Sequence, residues 1–171
     1  IKMLVDGVIE GHTAVMLEPY SNRPGERGTP RFAADELQRL VTSFDRRGWQ
    51  IMIHAIGDGG IRMVLDAFER AAAANPLPAR GRRQPFHANP SPNQIGVWTA
   101  NIGDARAARG WVYSSIQAGG GRLAFGSDWP VVTLDPRYGL NMAVNRTTPE
   151  GTPEGGWYPA ERMPLALGLE A

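Results

Sequence analysis

The sequence predicts an α/β protein built from parallel βαβ units, and three observations carry that prediction. Short apolar runs, IKMLV and IMIH, alternate with longer segments whose apolar residues recur at helical spacing. Each run stops at a polar residue near glycine, where a strand would turn into the next element. The resulting order of strand, helix, strand, helix is typical of a parallel sheet.

The first half of the chain carries the clearest elements. Strands are predicted at residues 1–5 and 49–54, where apolar residues predominate. Apolar spacing of three and four predicts helices at 33–47 and 61–74. Gly48 ends the first of these helices, and an Asn-Pro pair stops the second.

The second half of the chain does not continue this alternation of strands and helices. Residues 76–93 hold five prolines, so this stretch is either a long functional loop or the mark of missing chain. A helix is predicted at 104–117, ended by three glycines, and a short buried strand at 122–125. The Pro/Gly-rich residues 147–157 are expected to form a surface loop, before a frayed helix at 163–170.

His54 is the most informative residue, because it ends an apolar run and precedes a glycine-rich turn, IMIHAIGDGG. Gly57, Gly59 and Gly60 are expected to provide positive φ, and Asp58 to cap the following helix. A neutral imidazole at a strand's carboxyl end is a metal ligand or an acid/base group when other polar residues converge on it. A hydrogen-bonded core histidine is the alternative.

Composition limits the function classes. At 171 residues, with 42% hydrophobic residues, the chain can form one core, but a full (β/α)₈ barrel needs about 250 residues. A net charge of +1 does not indicate nucleic-acid binding, and no apolar run approaches the length of a membrane span. The absence of cysteine restricts a metal site to histidine, carboxylate or modified lysine.

Two further polar residues lie on predicted strands: Lys2 on the first and Asp128 just after the last. Because the carboxyl ends of parallel strands share one face of a sheet or barrel, Lys2, His54 and Asp128 can converge. Lys2 could instead be a solvated charge, and Asp128 a turn carboxylate or an N-cap. Asp6, Asp58 and Asp135 fit turns or caps better than ligands.

Three strings, IKMLVDGVIEGHTA, MIHAIGDGGIRMVLDAFERA and GGRLAFGSDWPV, occur in an order that resembles the later part of the amidohydrolase superfamily. Within it, they are most similar to amidohydrolase family 3, the YtcJ-like group. The resemblance covers nearly the whole chain, and HAIGD with GSDWPV are its most specific parts. It implies part of a (β/α)₈ TIM-type barrel that covers strands 4, 5 and 8.

The resemblance implies one or two divalent ions, usually zinc. By position, Lys2 matches a strand-four lysine that is often carboxylated, and His54 matches the strand-five histidine ligand. Asp128 matches the strand-eight aspartate, which binds metal and takes the proton from the attacking water. Such a site hydrolyses carbon–nitrogen bonds of amide-type small molecules through metal-activated water, and zinc suits imidazole and carboxylate donors.

The chain also departs from the family pattern. Strand six and most of strand seven are expected to be missing between Arg83 and Gln84, so residues 1–171 would form a partial catalytic domain. The first-strand His-x-His pair and the strand-six histidine, three of six expected ligands, are absent. The second hypothesis is therefore an inactive fragment or degenerate homologue with a binding or regulatory role. A carbohydrate-active barrel using Glu10 and Glu18 is weaker, because both lie in a predicted loop.

Substrate identity lies beyond the sequence. The polar loops 18–30 and 86–97 would line the pocket, with His87 near the substrate and with Tyr20, Trp98 and Trp129 as apolar contacts. Each aromatic residue could instead serve packing. The expected partner is a small molecule, with self-association left open, and a cytoplasmic location is favoured over secretion although the lack of cysteine fits either.

Overall fold

The structure, a computed structural model, describes residues 1–75, 90–121, 123–130 and 132–171. They fall into two compact units: the first holds residues 1–75 and 100–102, and the second holds the remaining described residues. The elements, in chain order, are β1 (Lys2–Leu4), α1 (Ala34–Arg46), β2 (Met52–His54), α2 (Asp58–Ala74), α3 (Pro92–Ile102), α4 (Asp104–Ala107), α5 (Tyr113–Ala118), α6 (Pro136–Asn145), a short 3₁₀ helix (Pro159–Glu161) and α7 (Leu165–Glu170).

The first unit is built on two parallel strands, as the sequence predicts. Strand β1 pairs with β2 in the register Lys2 to Met52, Met3 to Ile53 and Leu4 to His54. Since side chains alternate along a strand and paired residues share a face, Met3 and Ile53 point to one side. Lys2 and His54 point to the other.

Helices α1 and α2 cover the Met3 side of the strands. The apolar faces of both helices pack against Met3 and Val5 and form one core with them. Both helices were predicted from apolar residues at spacings of three and four. The buried members are Met3, Val5, Leu37, Val41, Val64, Ala67 and Ala71. Helix α1 ends as expected, with Gly48 at φ +73° just beyond its last residue.

The turn after β2 differs from its prediction. None of Gly57, Gly59 and Gly60 has positive φ, and Gly57 is the N-cap at φ −69°. Helix α2 therefore begins three residues earlier than predicted, with Asp58 in its first turn. The glycines are needed for space, because a Cβ on Gly57 would lie 2.0 Å from the carbonyl oxygen of Val15.

The second unit has a buried apolar core of Tyr113, Ala143 and Met163, and it also contains a cluster of tryptophan rings. Trp98 stacks on Trp111 with ring centroids 4.2 Å apart, and Trp157 lies 5.0 Å from Trp111. Arg146 is buried beside this group, with its guanidinium carbon 5.8 Å from the Tyr113 ring centroid and 6.0 Å from that of Trp157. A buried cation therefore joins the ring cluster.

Several predictions for the second half are wrong. The predicted helix at 104–117 is two short helices, α4 and α5, because Trp111 between them adopts φ +51°. Residues 92–97 of the predicted loop 86–97 belong instead to α3, with the Ser91 hydroxyl accepting from the amide of Gln94. The described residues 123–125 of the predicted strand belong to no strand, and residues 136–145, for which no element was predicted, form α6. The terminal helix α7 is confirmed.

None of the helices in the described ranges is long and apolar enough to cross a membrane.

Candidate metal centre

His54 lies at the carboxyl end of β2 with its side chain 28% exposed. Its Nε2 is 3.1 Å from the carbonyl oxygen of Gly7. A carbonyl can only accept, so Nε2 carries the hydrogen and donates it. In the neutral ring Nδ1 then holds the lone pair, which is the state a metal ligand requires.

Lys2 shares the face of His54. Two residues along the strand at about 3.3 Å each, and one strand spacing of about 4.8 Å, place their Cα atoms about 8 Å apart. Lys2 is exposed on that face, as are Leu4 at 44% and Met52 at 41%. The fold thus brings these two predicted ligands to one side of the sheet.

Asp128 belongs to the second unit, where it begins the turn 128–130 with φ +48° and is exposed. Aspartate tolerates this left-handed conformation better than most residues. The convergence of Asp128 with Lys2 and His54 stays a prediction. Within the described ranges, no three histidine or acidic side chains form a group that could hold a metal ion.

The predicted substrate contacts have different surroundings. Tyr20 is 1% exposed and its hydroxyl donates to the carbonyl oxygen of Ala14, which are the contacts of a packed side chain. Trp129 is 63% exposed. His87 lies outside the described residues. Contact of these three with a substrate stays a prediction.

Asp6 has a larger structural role than a turn residue. Its side chain is fully buried, and its carboxylate accepts three backbone N–H groups, from Val15 at 2.9 Å, Ile56 at 3.0 Å and Gly57 at 2.9 Å. Its Oδ1 also lies 3.9 Å from Nε2 of His54. The sequence offers only one signal for this role, a carboxylate directly after a buried apolar run.

Asp58 and Asp135 both accept hydrogen bonds from backbone amides, but only Asp135 is a helix cap; the predicted capping by Asp58 is wrong, because Gly57 is the N-cap of α2 and no side chain caps it. Asp58 accepts from the amide of Leu17 at 2.8 Å and from that of Gly59 at 2.9 Å. Asp135 caps α6, and hydrogen bonds from the side chain and amide of Arg137 lower its pKa to about 2. Hydrogen bonds within the protein therefore account for both carboxylates.

Comparison with known proteins places this fold in a class. The chain superposes on a solved structure described as an uncharacterized metal-dependent hydrolase from Pyrococcus furiosus, with a TM-score of 0.73 and 23% identity. The match covers 99% of the chain and 37% of that structure. The chain therefore has the fold of part of that hydrolase.

Sequence comparison then identifies the family. The model of the amidohydrolase family matches residues 1–166, and the chain belongs to that family. It is 28% identical over 196 aligned residues to the protein LONG AFTER FAR-RED 3 of Arabidopsis thaliana, covering 100% of the chain and 33% of the relative. It is 27% identical over 164 residues to a Bacillus subtilis (strain 168) protein named "Putative amidohydrolase YtcJ", covering 85% and 31%. The chain spans about a third of the length of these relatives.

Proposed function

We propose that the chain is part of a metal-dependent hydrolase that cleaves carbon–nitrogen bonds of amide-type small molecules with metal-activated water. The observation that carries this proposal is the 3.1 Å contact between Nε2 of His54 and the carbonyl oxygen of Gly7, from which we infer that Nε2 donates and that the Nδ1 lone pair is left for a metal. Family membership and the fold of a metal-dependent hydrolase support the same class of activity.

The donor set fits a divalent ion, zinc above all, because imidazole nitrogen and carboxylate oxygen are its ordinary ligands. His54 and Asp128 would supply one donor of each type. Lys2 is on the His54 face but cannot bind metal as an ammonium, so it would act only when carboxylated or deprotonated. One or two ions could be held in this way.

A bound divalent ion lowers the pKa of water toward about 7 and polarises the scissile carbonyl. The protein's own part is to hold ligands and move a proton. Asp128 would accept the proton of the attacking water and pass it to the leaving amine, as a carboxylate general acid/base does. Trp129, which is exposed beside Asp128, and His87 are proposed to contact the substrate.

Metal content of the purified chain tests this function. After equilibration with zinc and gel filtration, we expect at least one zinc per chain by mass spectrometry. His54→Ala should weaken zinc binding at least about 100-fold, because loss of a direct ligand exceeds the 10–100-fold cost of disturbing an outer contact.

His12→Ala is the matched control. His12 is also a histidine of the first unit, but its Nε2 bonds Asn22 at 3.0 Å and its ring packs on Tyr20. This variant should retain zinc. Zinc-free wild-type chain, or equal affinity in His54→Ala and wild type, would contradict the proposal and favour a binding or regulatory role.

A further inference from the structure

We propose that Asp6 is a positioning residue for His54: its buried carboxylate keeps the imidazole proton on Nε2 and the lone pair on Nδ1. Asp6 itself would touch neither metal nor substrate. This role deepens the proposed function and rests on it, because that function gives the Nδ1 lone pair a metal to bind.

The first step concerns the segment after His54. Asp6 lies directly beyond β1, and its carboxylate accepts the amides of Ile56 and Gly57, two and three residues past His54. A third amide, that of Val15, comes from a separate loop. One carboxylate therefore links three segments by hydrogen bonds: the residue that follows β1, the residues that follow β2, and the loop that contains Val15.

The second step concerns the imidazole proton. The acceptor of the His54 Nε2 hydrogen is the carbonyl oxygen of Gly7, which is the next residue after Asp6 in the chain. Because the hydrogen bonds of Asp6 hold it in place, they also fix the position of that oxygen. The negative charge at 3.9 Å from Nε2 also favours a hydrogen on that nitrogen over one on Nδ1. Both effects select the same tautomer.

The third step concerns why a carboxylate, rather than an amide, occupies this position. A carboxylate offers acceptors only, whereas the amide of asparagine offers one oxygen and an NH₂ group that would face a backbone N–H. Burying a charge is costly unless it is fully hydrogen-bonded, and the three amides supply those bonds. The chain also makes room for it, since a Cβ on Gly60 would lie 2.6 Å from Oδ2 of Asp6.

Nitrogen NMR of the histidine rings tests this role without metal or activity. In ¹⁵N-histidine-labelled chain above the ordinary pKa of imidazole, we expect His54 to be the Nε2–H tautomer, assigned by its loss in His54→Ala. In Asp6→Asn the ratio of the Nε2–H to the Nδ1–H tautomer should fall roughly threefold to tenfold, which corresponds to the net free energy of one hydrogen bond. A folded Asp6→Asn with an unchanged ratio would overturn the role.

Asp58→Asn is the matched control. The Asp58 carboxylate also accepts hydrogen bonds from two backbone amides, but Asp58 is not a neighbour of Gly7 in the chain, and neither of these bonds involves His54. Its His54 tautomer should match wild type. If Asp6→Asn does not fold, Gly60→Ala displaces the carboxylate from the other side and should change the ratio in the same direction.

The wild-type chain tests the role independently of the variants. A dominant Nδ1–H tautomer of His54 in wild type would refute the role of Asp6 whatever the variants do. The two proposals can also fail separately: the expected tautomer in a chain that binds no zinc refutes the hydrolase site alone. Zinc binding with no response of the tautomer to Asp6→Asn or Gly60→Ala refutes the positioning role alone.

Discussion

Gly57→Ala is expected to lower the free energy of unfolding by about 3 kcal/mol, the upper part of the usual range for overpacking. The added Cβ would lie 2.0 Å from the carbonyl oxygen of Val15 and 2.5 Å from its carbonyl carbon. Both are backbone atoms, which cannot rotate away as a side chain would. The loop that carries Val15 must therefore move. The hydrogen bonds that the backbone amides of Val15 and Gly57 donate to Asp6 are then lost or stretched.

Urea unfolding followed by far-UV circular dichroism measures this loss. Gly96→Ala is the matched control, because Gly96 is an exposed residue within α3 and a Cβ added there would meet no neighbouring atom of the described ranges within 4 Å. This control should gain about 0.5–1 kcal/mol from the better helix propensity of alanine. A Gly57→Ala variant within about 0.5 kcal/mol of wild type would show that the close approach does not exist.

Arg146→Met is expected to lower the free energy of unfolding by about 4 kcal/mol, because it removes three hydrogen bonds made by a buried side chain. The Arg146 side chain donates to the carbonyl oxygens of Trp157 at 2.8 Å, Trp111 at 2.8 Å and Gly110 at 3.4 Å. Burial lowers the pKa of this guanidinium, a sign that it is withdrawn from water. Methionine fills much of the volume but donates no hydrogen bond. The carbonyl oxygen of Trp111 still accepts the amide of Tyr113 at 2.9 Å, whereas those of Trp157 and Gly110 lose the Arg146 donor, at about 1–3 kcal/mol for each buried group.

Arg162→Met is the matched control for this variant. Arg162 also donates to two carbonyl oxygens, of Asn145 and Gly155, but both bonds are exposed to solvent. Its loss should cost less than about 1 kcal/mol, because water replaces the missing donor. Tryptophan fluorescence should follow unfolding of Arg146→Met, since Trp111 and Trp157 lie at the guanidinium. Equal losses in the two variants would contradict a structural role for the buried cation.

Periodicity was sufficient to predict the two strands and the two long helices of the first unit. The apolar spacing of α1 and α2 and the apolar runs at β1 and β2 are local signals, and the parallel pairing follows from their order. The second unit was predicted less well, because its helices are short and Trp111 breaks one apolar pattern with a left-handed backbone. The Ser91-Pro92 pair is an N-cap signal that could have revealed α3.

The candidate site was predictable only in part. His54 and Lys2 stand out because polar residues interrupt or end apolar runs, and the register puts them on one face. The role of Asp6 depends on amides 9, 50 and 51 residues away, which no local pattern reveals. The turn glycines were recognised but for the wrong reason: steric room, rather than positive φ, is what Gly57 and Gly60 provide.

The most direct test of a metal site at His54 is a crystal structure of zinc-equilibrated chain with anomalous data at the zinc edge. We expect an anomalous peak about 2.0–2.1 Å from Nδ1 of His54, with an Asp128 carboxylate oxygen about 2.0–2.2 Å from the same or a neighbouring ion. Nε2 should still donate to Gly7. Two results would contradict a metal site at this histidine. One is an anomalous peak found only at other residues, and the other is an Nδ1 of His54 that is hydrogen-bonded within the protein and carries no metal.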